Sequence, residues 1–272
     1  MNRLVSCVKV LGAVLVFGSL QARADTLPPE SSPVARGLTI AMMSDERDEG
    51  WGDAKADMKM VLTNSSGEMS ERALRFMMLE RPEAGSGNWS LMTFDKPRDI
   101  EGTALLTHSS LKDADDQWLY LPAVKRVKRI SSSNKAGAFV GSEFAFEDFS
   151  TQQVEKFSYK WLRDESCGTL TCFVIERVPT YEASGYTREI VWIDTEDLQF
   201  RKIDYYDRKN TLIKTLTLSD YKLYENKFWR PLALDMVNHE NGKATKLVWT
   251  AYEFHTGLNK ADFTPAALER AR

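Results

Sequence analysis

WRPLALDMVNHENGKATKLVWTAYEF, residues 229–254, carries the clearest structural signal in this chain. It contains two runs rich in apolar and aromatic residues, 229–239 and 244–254, with Asn241-Gly242 between them. Asn-Gly adopts the positive φ angles of a tight turn easily, and it is a strong signal for a turn between antiparallel strands. The segment therefore predicts a β-hairpin.

Further short runs of the same kind lie on the N-terminal side of this hairpin. They alternate with turn residues at regular spacing, and almost no helical periodicity separates them; the runs are 58–63, 72–79, 88–95, 102–107, 117–121, 157–163, 171–178, 188–194, 200–206 and 211–221. Successive strands at this spacing are typical of a continuous antiparallel sheet. The chain is therefore expected to be mainly β, within the α+β class.

Two helices are expected, one near each end of the exported part of the chain. Ser32-Pro33 combines a helix N-cap with proline at the first helical position, and it predicts a helix to about Arg47. Thr264-Pro265 repeats this signal and predicts a short helix to Arg272. These helices offer cover for the sheet.

Several predicted strands are apolar on both faces. Ile190 and Trp192 alternate with Val191 and Ile193, whereas a sheet with one wet face shows cleaner alternation. Both faces must therefore be covered. A filled core and a curved sheet around a ligand-holding cavity both explain the pattern.

The N-terminus has the features of an export signal. Arg3 and Lys9 flank an apolar run at residues 10–20, and Ala22-Arg23-Ala24 follows it. The run is shorter than the roughly 20 residues of a transmembrane helix, although an uncleaved anchor stays open. We predict a signal peptide at residues 1–24, cleavage after Ala24, and a single exported domain at 25–272.

The charge balance argues against a nucleic-acid partner. The chain has 36 basic and 39 acidic residues, and the predicted signal peptide contains Arg3, Lys9 and Arg23 but no acid. The exported part would therefore have an excess of acidic residues. Nucleic-acid binding needs a broad basic surface, so no nucleic-acid partner is expected.

Cys167 and Cys172 would remain after signal-peptide removal. In an exported chain, a pair this close predicts a disulfide, with Gly168 in the turn of a hairpin. A redox-active pair is usually separated by two residues at the start of a helix, and here four residues separate the cysteines. A structural disulfide is the favoured interpretation over a redox or metal role.

The sequence contains no motif that indicates a catalytic site. His108, His239 and His255 lack zinc-site spacing, and no nucleophile elbow, phosphate loop or dinucleotide fingerprint is present. We expect no enzyme, cofactor or metal. A hydrolase that acts on envelope lipids or glycans is a minor alternative.

A dense cluster of cations follows the strand at residues 117–121. It comprises Lys125, Arg126, Lys128 and Arg129, and a polar loop with Lys135 comes next. A solvated hairpin flank is one interpretation. The other is a patch for lipid headgroups or for an acidic partner surface, with Lys135 as a fifth member.

Motifs across nearly the whole exported part resemble the outer-membrane lipoprotein-sorting protein family, which is similar in fold to the periplasmic carrier LolA and its receptor LolB. The matching residues are Arg47-Asp-Glu-Gly-Trp51, Gly102-Thr-Ala-Leu-Leu-Thr-His108, Asp116-Gln-Trp-Leu-Tyr-Leu-Pro122, Lys125-Arg-Val-Lys-Arg-Ile-Ser131, Gly141-Ser-Glu-Phe144, Tyr206-Asp-Arg208, Trp229-Arg-Pro231, Asn238-His239 and Gly242-Lys243. The resemblance implies a strongly curved, incomplete antiparallel barrel with helices across its concave side. It also implies an apolar cavity and a partner among inner-membrane transporters of the RND superfamily.

Together these observations predict a monomeric periplasmic carrier that binds the acyl chains of a lipid or lipoprotein. The alternative is an accessory subunit of a transporter without cargo of its own. Strand phase gives the candidate cavity walls, which are Leu74, Phe76, Met78, Leu91, Trp118, Tyr120, Trp161, Trp192, Leu234 and Trp249. Whether the loop at 131–139 gates the cavity stays open.

Overall fold

The computed structural model describes residues 27–83, 85–150 and 153–270. The predicted signal peptide and its cleavage site lie outside this part of the chain. Thirteen strands and two α-helices form the framework of the described residues. They are α1 (Pro33–Arg47), β1 (Asp53–Thr63), β2 (Met69–Leu79), β3 (Ser86–Lys96), β4 (Ala104–Ser110), β5 (Asp116–Leu121), β6 (Arg126–Arg129), β7 (Phe157–Cys167), β8 (Leu170–Pro179), β9 (Arg188–Asp194), β10 (Phe200–Tyr206), β11 (Leu212–Tyr224), β12 (Phe228–Asn238), β13 (Ala244–Phe254) and α2 (Pro265–Leu268).

All thirteen strands belong to one antiparallel sheet, which confirms the predicted fold class. Their spatial order is β6-β5-β4-β3-β2-β1-β13-β12-β11-β10-β9-β8-β7. The edge strands β6 and β7 do not pair with each other, so the sheet is an incomplete barrel. The predicted hairpin is β12 and β13, and Gly242 has the positive φ of +68° that its turn requires.

Helix α1 begins at Pro33 and ends at Arg47, as predicted, and it packs across the concave side beside β7. Ile40 and Ala41 are buried in the main core, which is the large hydrophobic cluster on the concave side of the sheet. Gly37 allows the closest approach, because a Cβ atom at this position would lie 2.6 Å from the backbone nitrogen of Trp161. The helix therefore covers the concave side next to one sheet edge.

The long connection between β6 and β7 also covers the concave side; we call its described residues, 130–150 and 153–156, the crossing segment. It contains four short 3₁₀ turns, and its Phe139 and Phe144 side chains are buried in the main core. Arg72 on β2 donates to the Val140 carbonyl at 2.6 Å, and the Glu143 N–H donates to Thr245 Oγ1 on β13 at 3.0 Å. The segment is thereby anchored to the middle of the sheet.

The convex side has apolar clusters of its own. Leu91, Leu106 and Tyr120 pack there against Phe263 and Leu268 of the C-terminal segment. Helix α2 therefore lies on the convex side, and it is shorter than predicted. The expectation that helices cover the concave side holds for α1 alone, because the second concave cover is the crossing segment.

The predicted disulfide between Cys167 and Cys172 is confirmed. It joins the end of β7 to β8 across a tight turn in which Gly168 has a φ of +71°. Within the described residues, no helix has the length and apolar character needed to cross a membrane.

Candidate binding cavity

A cavity of about 390 Å³ lies between the concave face of the sheet, α1 and the crossing segment. Its size falls within the usual range of roughly 300 to 1,000 Å³ for small-molecule sites. Residues from all three elements border it, including Ala41 on α1 and Phe144 and Phe149 on the crossing segment. The cavity is therefore a product of the incomplete barrel and its two covers.

Apolar and aromatic side chains form most of the cavity wall. They come from strands on both halves of the sheet, and they are Phe76, Met78, Met92, Ile175, Phe200, Ile203, Leu216, Leu218, Leu234, Leu247 and Trp249. Alternation along the strands directs these residues to the concave side, since neighbouring strand residues point to opposite faces. Such a wall suits a ligand with long hydrocarbon parts.

Charged residues lie at one end of the cavity, where α1 ends. Arg81, beyond the end of β2, binds Asp45 at 2.9 Å and Glu49 at 2.7 Å, and Arg230 on β12 pairs with Asp48. Burial raises the pKa values of Asp45 and Asp48, and the arginines partly offset this shift. These ion pairs connect the C-terminal end of α1 to the sheet.

Arg177, one partner of a buried ion pair, also borders the cavity. The Arg177 side chain on β8 is 2% exposed, and its Nε donates to Glu189 Oε2 at 2.6 Å. Its guanidinium carbon lies 4.5 Å from the centre of the Phe157 ring. Burial raises the pKa of Glu189, and Arg177 opposes that shift. The wall is therefore not purely apolar.

Two neighbouring carboxyl groups hold the crossing segment in place. Glu147 accepts hydrogen bonds from Tyr181 Oη at 3.1 Å, Ser184 Oγ at 2.9 Å and the Gly185 N–H at 2.8 Å. Asp148 accepts from the Tyr186 hydroxyl at 2.9 Å. Burial raises the pKa values of both groups. The segment is thus joined by polar contacts to the loop before β9.

The structure places the ten candidate wall residues on two different faces. Phe76, Met78, Leu234 and Trp249 border the cavity. Leu74 belongs to the main core and Trp161 packs against it, but neither residue borders the cavity. Leu91, Trp118, Tyr120 and Trp192 were placed wrongly, since they pack in the convex clusters. Strand phase shows that two residues share a face, but it does not show which face is concave.

The basic cluster is exposed at the edge of the sheet. Lys125, Arg126, Lys128 and Arg129 are exposed, and Arg129 pairs with Asp116 on β5. None of the four borders the cavity. We call these four residues the basic patch.

The prediction that Lys135 belongs to the basic patch is wrong. Its side chain is buried, and its Nζ donates to the backbone carbonyl of Asp115. Lys156 is also buried there, in an ion pair with Asp115. Burial lowers the pKa of Lys135, because a charged amine loses its hydration. Lys135 therefore has a structural role inside the crossing segment.

Several residues that border the cavity could not be identified from strand phase. Trp51 lies in the loop after α1, and Trp229 lies on β12; both occur in the motifs that resemble the sorting family. Phe144 and Phe149 lie in a run of aromatic and acidic residues. Their spacing has no strand periodicity, so phase could not select them. No sequence pattern indicated that Arg177 lies in the cavity wall, because an isolated arginine in a strand is usually exposed.

Within the described ranges, no group of three or more His, Cys, Asp or Glu side chains is arranged to bind a metal ion. His108 instead packs on the convex side. Its ring lies 3.8 Å from that of Trp89, and its Nε2 lies 2.6 Å from the Phe263 carbonyl oxygen.

Comparisons with known proteins agree with this geometry. The crystal structure of an outer membrane lipoprotein-sorting protein domain from Vibrio parahaemolyticus is 48% identical to this chain, with a TM-score of 0.85; the match covers 87% of this chain and 100% of that one. A DUF1329 family protein from Desulfovibrio piger is 29% identical, with a TM-score of 0.82 over 87% of this chain and 99% of its own.

A LolA superfamily protein from Nitrosomonas europaea shares the fold, at 18% identity and a TM-score of 0.66 over 84% of this chain and 97% of its own. A family model described as an uncharacterized protein matches residues 86–270. No protein of curated function matches the sequence.

Proposed function

Because this chain belongs to the outer membrane lipoprotein-sorting protein family, we propose that it is a carrier of acyl chains in the periplasm. The single observation that carries the proposal is the cavity of about 390 Å³, with its mainly apolar wall. The cargo is a lipid or the lipid part of a lipoprotein. Carriage of this kind needs no bond-making step.

The hydrophobic effect supplies enough affinity for such a role. Each buried methylene contributes about 0.8 kcal/mol, so burying about ten methylenes of one chain contributes about 8 kcal/mol, which corresponds to a micromolar affinity. Phe76, Met78 and Leu234 offer contacts along the wall, and Ala41 of α1 offers contacts from the cover. The cargo would be held by burial and released without chemistry.

The experiment that tests this role starts from the exported protein. Lipids that co-purify with it are identified by mass spectrometry, and displacement of a fluorescent fatty acid measures the affinity of the cavity. Leu234→Glu places a charge in the wall and should weaken fatty-acid binding by at least tenfold. Leu223→Glu is the matched control, because Leu223 is 40% exposed on β11. A lipid-free protein that also rejects fatty acids would contradict the proposal.

The proposed partner is an inner-membrane transporter of the RND superfamily, and the basic patch is the proposed contact surface. Its four cations are exposed and lie outside the cavity, so partner binding and cargo binding are separable. The patch also favours the second candidate function, an accessory subunit that binds a transporter without cargo of its own. We propose that the protein acts as a monomer.

Charge reversal of the basic patch tests the contact and separates the two functions. Replacing Lys125, Arg126, Lys128 and Arg129 with glutamate should abolish capture by the transporter in detergent, while fatty-acid binding stays unchanged. If the wild type binds the transporter but no lipid, the accessory function is correct. If capture survives the charge reversal, and binding to anionic vesicles is lost instead, the patch recognises headgroups.

A further inference from the structure

Strand β6 is one edge of the sheet, and its outer side has no neighbouring strand among the described residues. The Ile130 N–H, directly after β6, donates to the Gln117 carbonyl of β5 at 2.8 Å. In an antiparallel pair, the backbone groups of successive residues point alternately towards the partner strand and away from it. The backbone groups of Val127 and Arg129, three positions and one position before Ile130, therefore point away from the sheet.

These outward backbone groups are free to pair with another strand. Neither residue has a second backbone partner within the part of the chain that the structure describes. Arg126, Lys128 and Arg129 are exposed, whereas Val127 is half-buried and packs against the convex cluster that contains Tyr120. Strand β6 is thus held in place by its own packing and presents an open edge. Such an edge can accept an extended segment of a partner protein as a further strand.

The charges of β6 determine which strand can pair with it. Arg129 pairs with Asp116 on β5, but Arg126 and Lys128 have no ion-pair partner among the residues described. Cations on an edge strand commonly prevent pairing between identical edges, and two copies of β6 would bring these like charges together. The same two cations attract acidic side chains on an added strand. The edge is therefore protected against a second copy of this chain and suited to an acidic segment.

We propose that β6 binds an extended acidic segment of a partner protein by strand addition. Arg126 and Lys128 lie two positions apart, so their side chains share one face of the sheet. In antiparallel addition, Val127 exchanges both backbone hydrogen bonds with the partner residue opposite it. Arg126 and Lys128 then lie in the non-hydrogen-bonded pairs, in which facing side chains are closest. The matching segment has two acidic residues that flank the partner of Val127.

The inference rests on the partner contact proposed for the basic patch and specifies its chemistry and geometry. It does not depend on which cargo, if any, the cavity holds. The basic patch lies outside the cavity, so strand addition and fatty-acid binding can be measured separately on the same protein.

A pair of peptides with equal charge tests strand addition directly. The first is an extended threonine-rich peptide with Glu-Val-Glu at its centre, and the second has the same sequence with the central valine N-methylated. Only the first can donate its central N–H to the Val127 carbonyl. Each fluorescently labelled peptide is titrated with the full exported protein, and anisotropy gives its affinity. The unmodified peptide should bind at least about fivefold tighter, which is the usual effect of one hydrogen bond. Equal affinities, or no binding of either peptide, would overturn the proposal.

A third peptide, with Lys-Val-Lys at its centre, tests the selection by charge. It should not bind the wild type, but it should bind a variant with Arg126→Glu and Lys128→Glu, which in turn should lose the Glu-Val-Glu peptide. Equal binding of both peptides by the wild type would contradict the proposed acidic partner.

Val127→Pro removes the outward N–H from β6. Proline is tolerated on an edge strand where the N–H faces away from the sheet. The variant should bind the Glu-Val-Glu peptide about fivefold more weakly than the wild type. Val127→Ala is the matched control, because it also loses the valine side chain but keeps the N–H, and it should bind like the wild type. Unchanged binding by Val127→Pro would contradict strand addition, and the N-methylated peptide gives the same test without any change to the protein.

Phosphatidylglycerol vesicles distinguish an acidic strand from an anionic membrane surface. Val127→Pro keeps all four cations of the basic patch, so it should weaken peptide binding and leave any vesicle binding unchanged. A wild type that binds these vesicles but not the Glu-Val-Glu peptide would overturn the proposal in favour of headgroup recognition. Displacement of a fluorescent fatty acid from the same proteins shows separately whether the carrier function holds.

Discussion

Arg177 and Glu189 form an ion pair that is almost fully buried, with side-chain exposures of 2% and 4%. Removing one partner of such a pair leaves the other charge without compensation in a poorly hydrated site. Replacing both partners by apolar residues avoids that penalty. The pair is therefore expected to contribute little net stability compared with an apolar pair of similar size.

A double-mutant experiment measures how much the ion pair contributes to the stability of the fold. Arg177→Met should lower the free energy of unfolding by about 3 to 5 kcal/mol, and adding Glu189→Leu should restore most of it. Urea denaturation followed by tryptophan fluorescence gives both values. A double variant that is no more stable than Arg177→Met would show that the pair stabilises the fold by itself.

Glu147 should make stability depend on pH. Its ordinary pKa is 4.5, and burial raises this pKa in the folded protein. The folded state therefore binds the proton more tightly than the unfolded state. The stabilisation from this proton is fully present below the unfolded pKa, and it is lost as the pH rises through the folded pKa.

Glu147→Gln removes this titration and keeps an acceptor for the Gly185 N–H, which lies 2.8 Å from the present carboxylate. Denaturation at several pH values from 4.5 upwards should show a smaller loss of stability for the variant than for the wild type. Parallel pH curves for the two proteins would contradict the raised pKa of Glu147.

At the scale of elements, Gly37 controls how closely α1 approaches the sheet. A Cβ atom at this position would lie 2.6 Å from Trp161 N and 2.8 Å from the carbonyl carbon of Lys160. Both contacts are with backbone atoms, so a rotamer change cannot relieve them. The helix must move away if any side chain is added.

Gly37→Ala should therefore destabilise the protein by about 1 to 3 kcal/mol. The expected direction is notable because alanine is the better helix former by about 1 kcal/mol. Thermal unfolding measures the change, and Leu38→Ala at a 41% exposed position is the control. If Gly37→Ala were more stable than the wild type, close packing would not limit α1.

The strands and helices could be predicted from the sequence more accurately than the face of the sheet on which each residue lies. Asn241-Gly242, Ser32-Pro33 and the cysteine pair identify their structures through local geometry, which the sequence contains directly. The concave face depends instead on the curvature of the whole sheet. Phe76 faces the cavity and Met77 faces the convex side, yet both are apolar residues in one run. Strand phase alone could not show which of the two residues faces the cavity.

The crossing segment was the hardest part to predict for a related reason. Lys135 and Phe144 lie in a stretch with turn-like composition, and such stretches are usually at the surface. Here the stretch lies across the concave face, where Phe144 is buried and Lys135 has a backbone acceptor. Contacts with residues far away in the sequence cause this burial.

At the scale of the whole molecule, Arg81 links the end of α1 to the sheet beside the cavity. It binds Asp45 and Glu49, and all three side chains are partly exposed. Such pairs contribute only about 0.2 to 1 kcal/mol each, so they hold the end of α1 against the sheet only weakly.

Arg81→Ala should increase the dissociation rate of a bound fluorescent fatty acid by about twofold to fivefold. Stopped-flow displacement with excess unlabelled ligand measures this rate. Arg75→Ala, which breaks a surface pair with Asp95 on the convex side, should leave the rate unchanged. Equal effects of both variants would mean that the Arg81 ion pairs do not influence the release of the ligand.

The strand order also bears on how the chain folds. Every pair of neighbours in the sheet is consecutive along the chain except β1 and β13, which meet in the middle. The two halves, β1 to β6 and β7 to β13, can each form through local hairpins, and local contacts form rapidly. Only the β1–β13 seam must close a long loop, at an entropic cost that rises slowly with loop length. Joining of the two halves at this seam is therefore expected to be the slow step in folding.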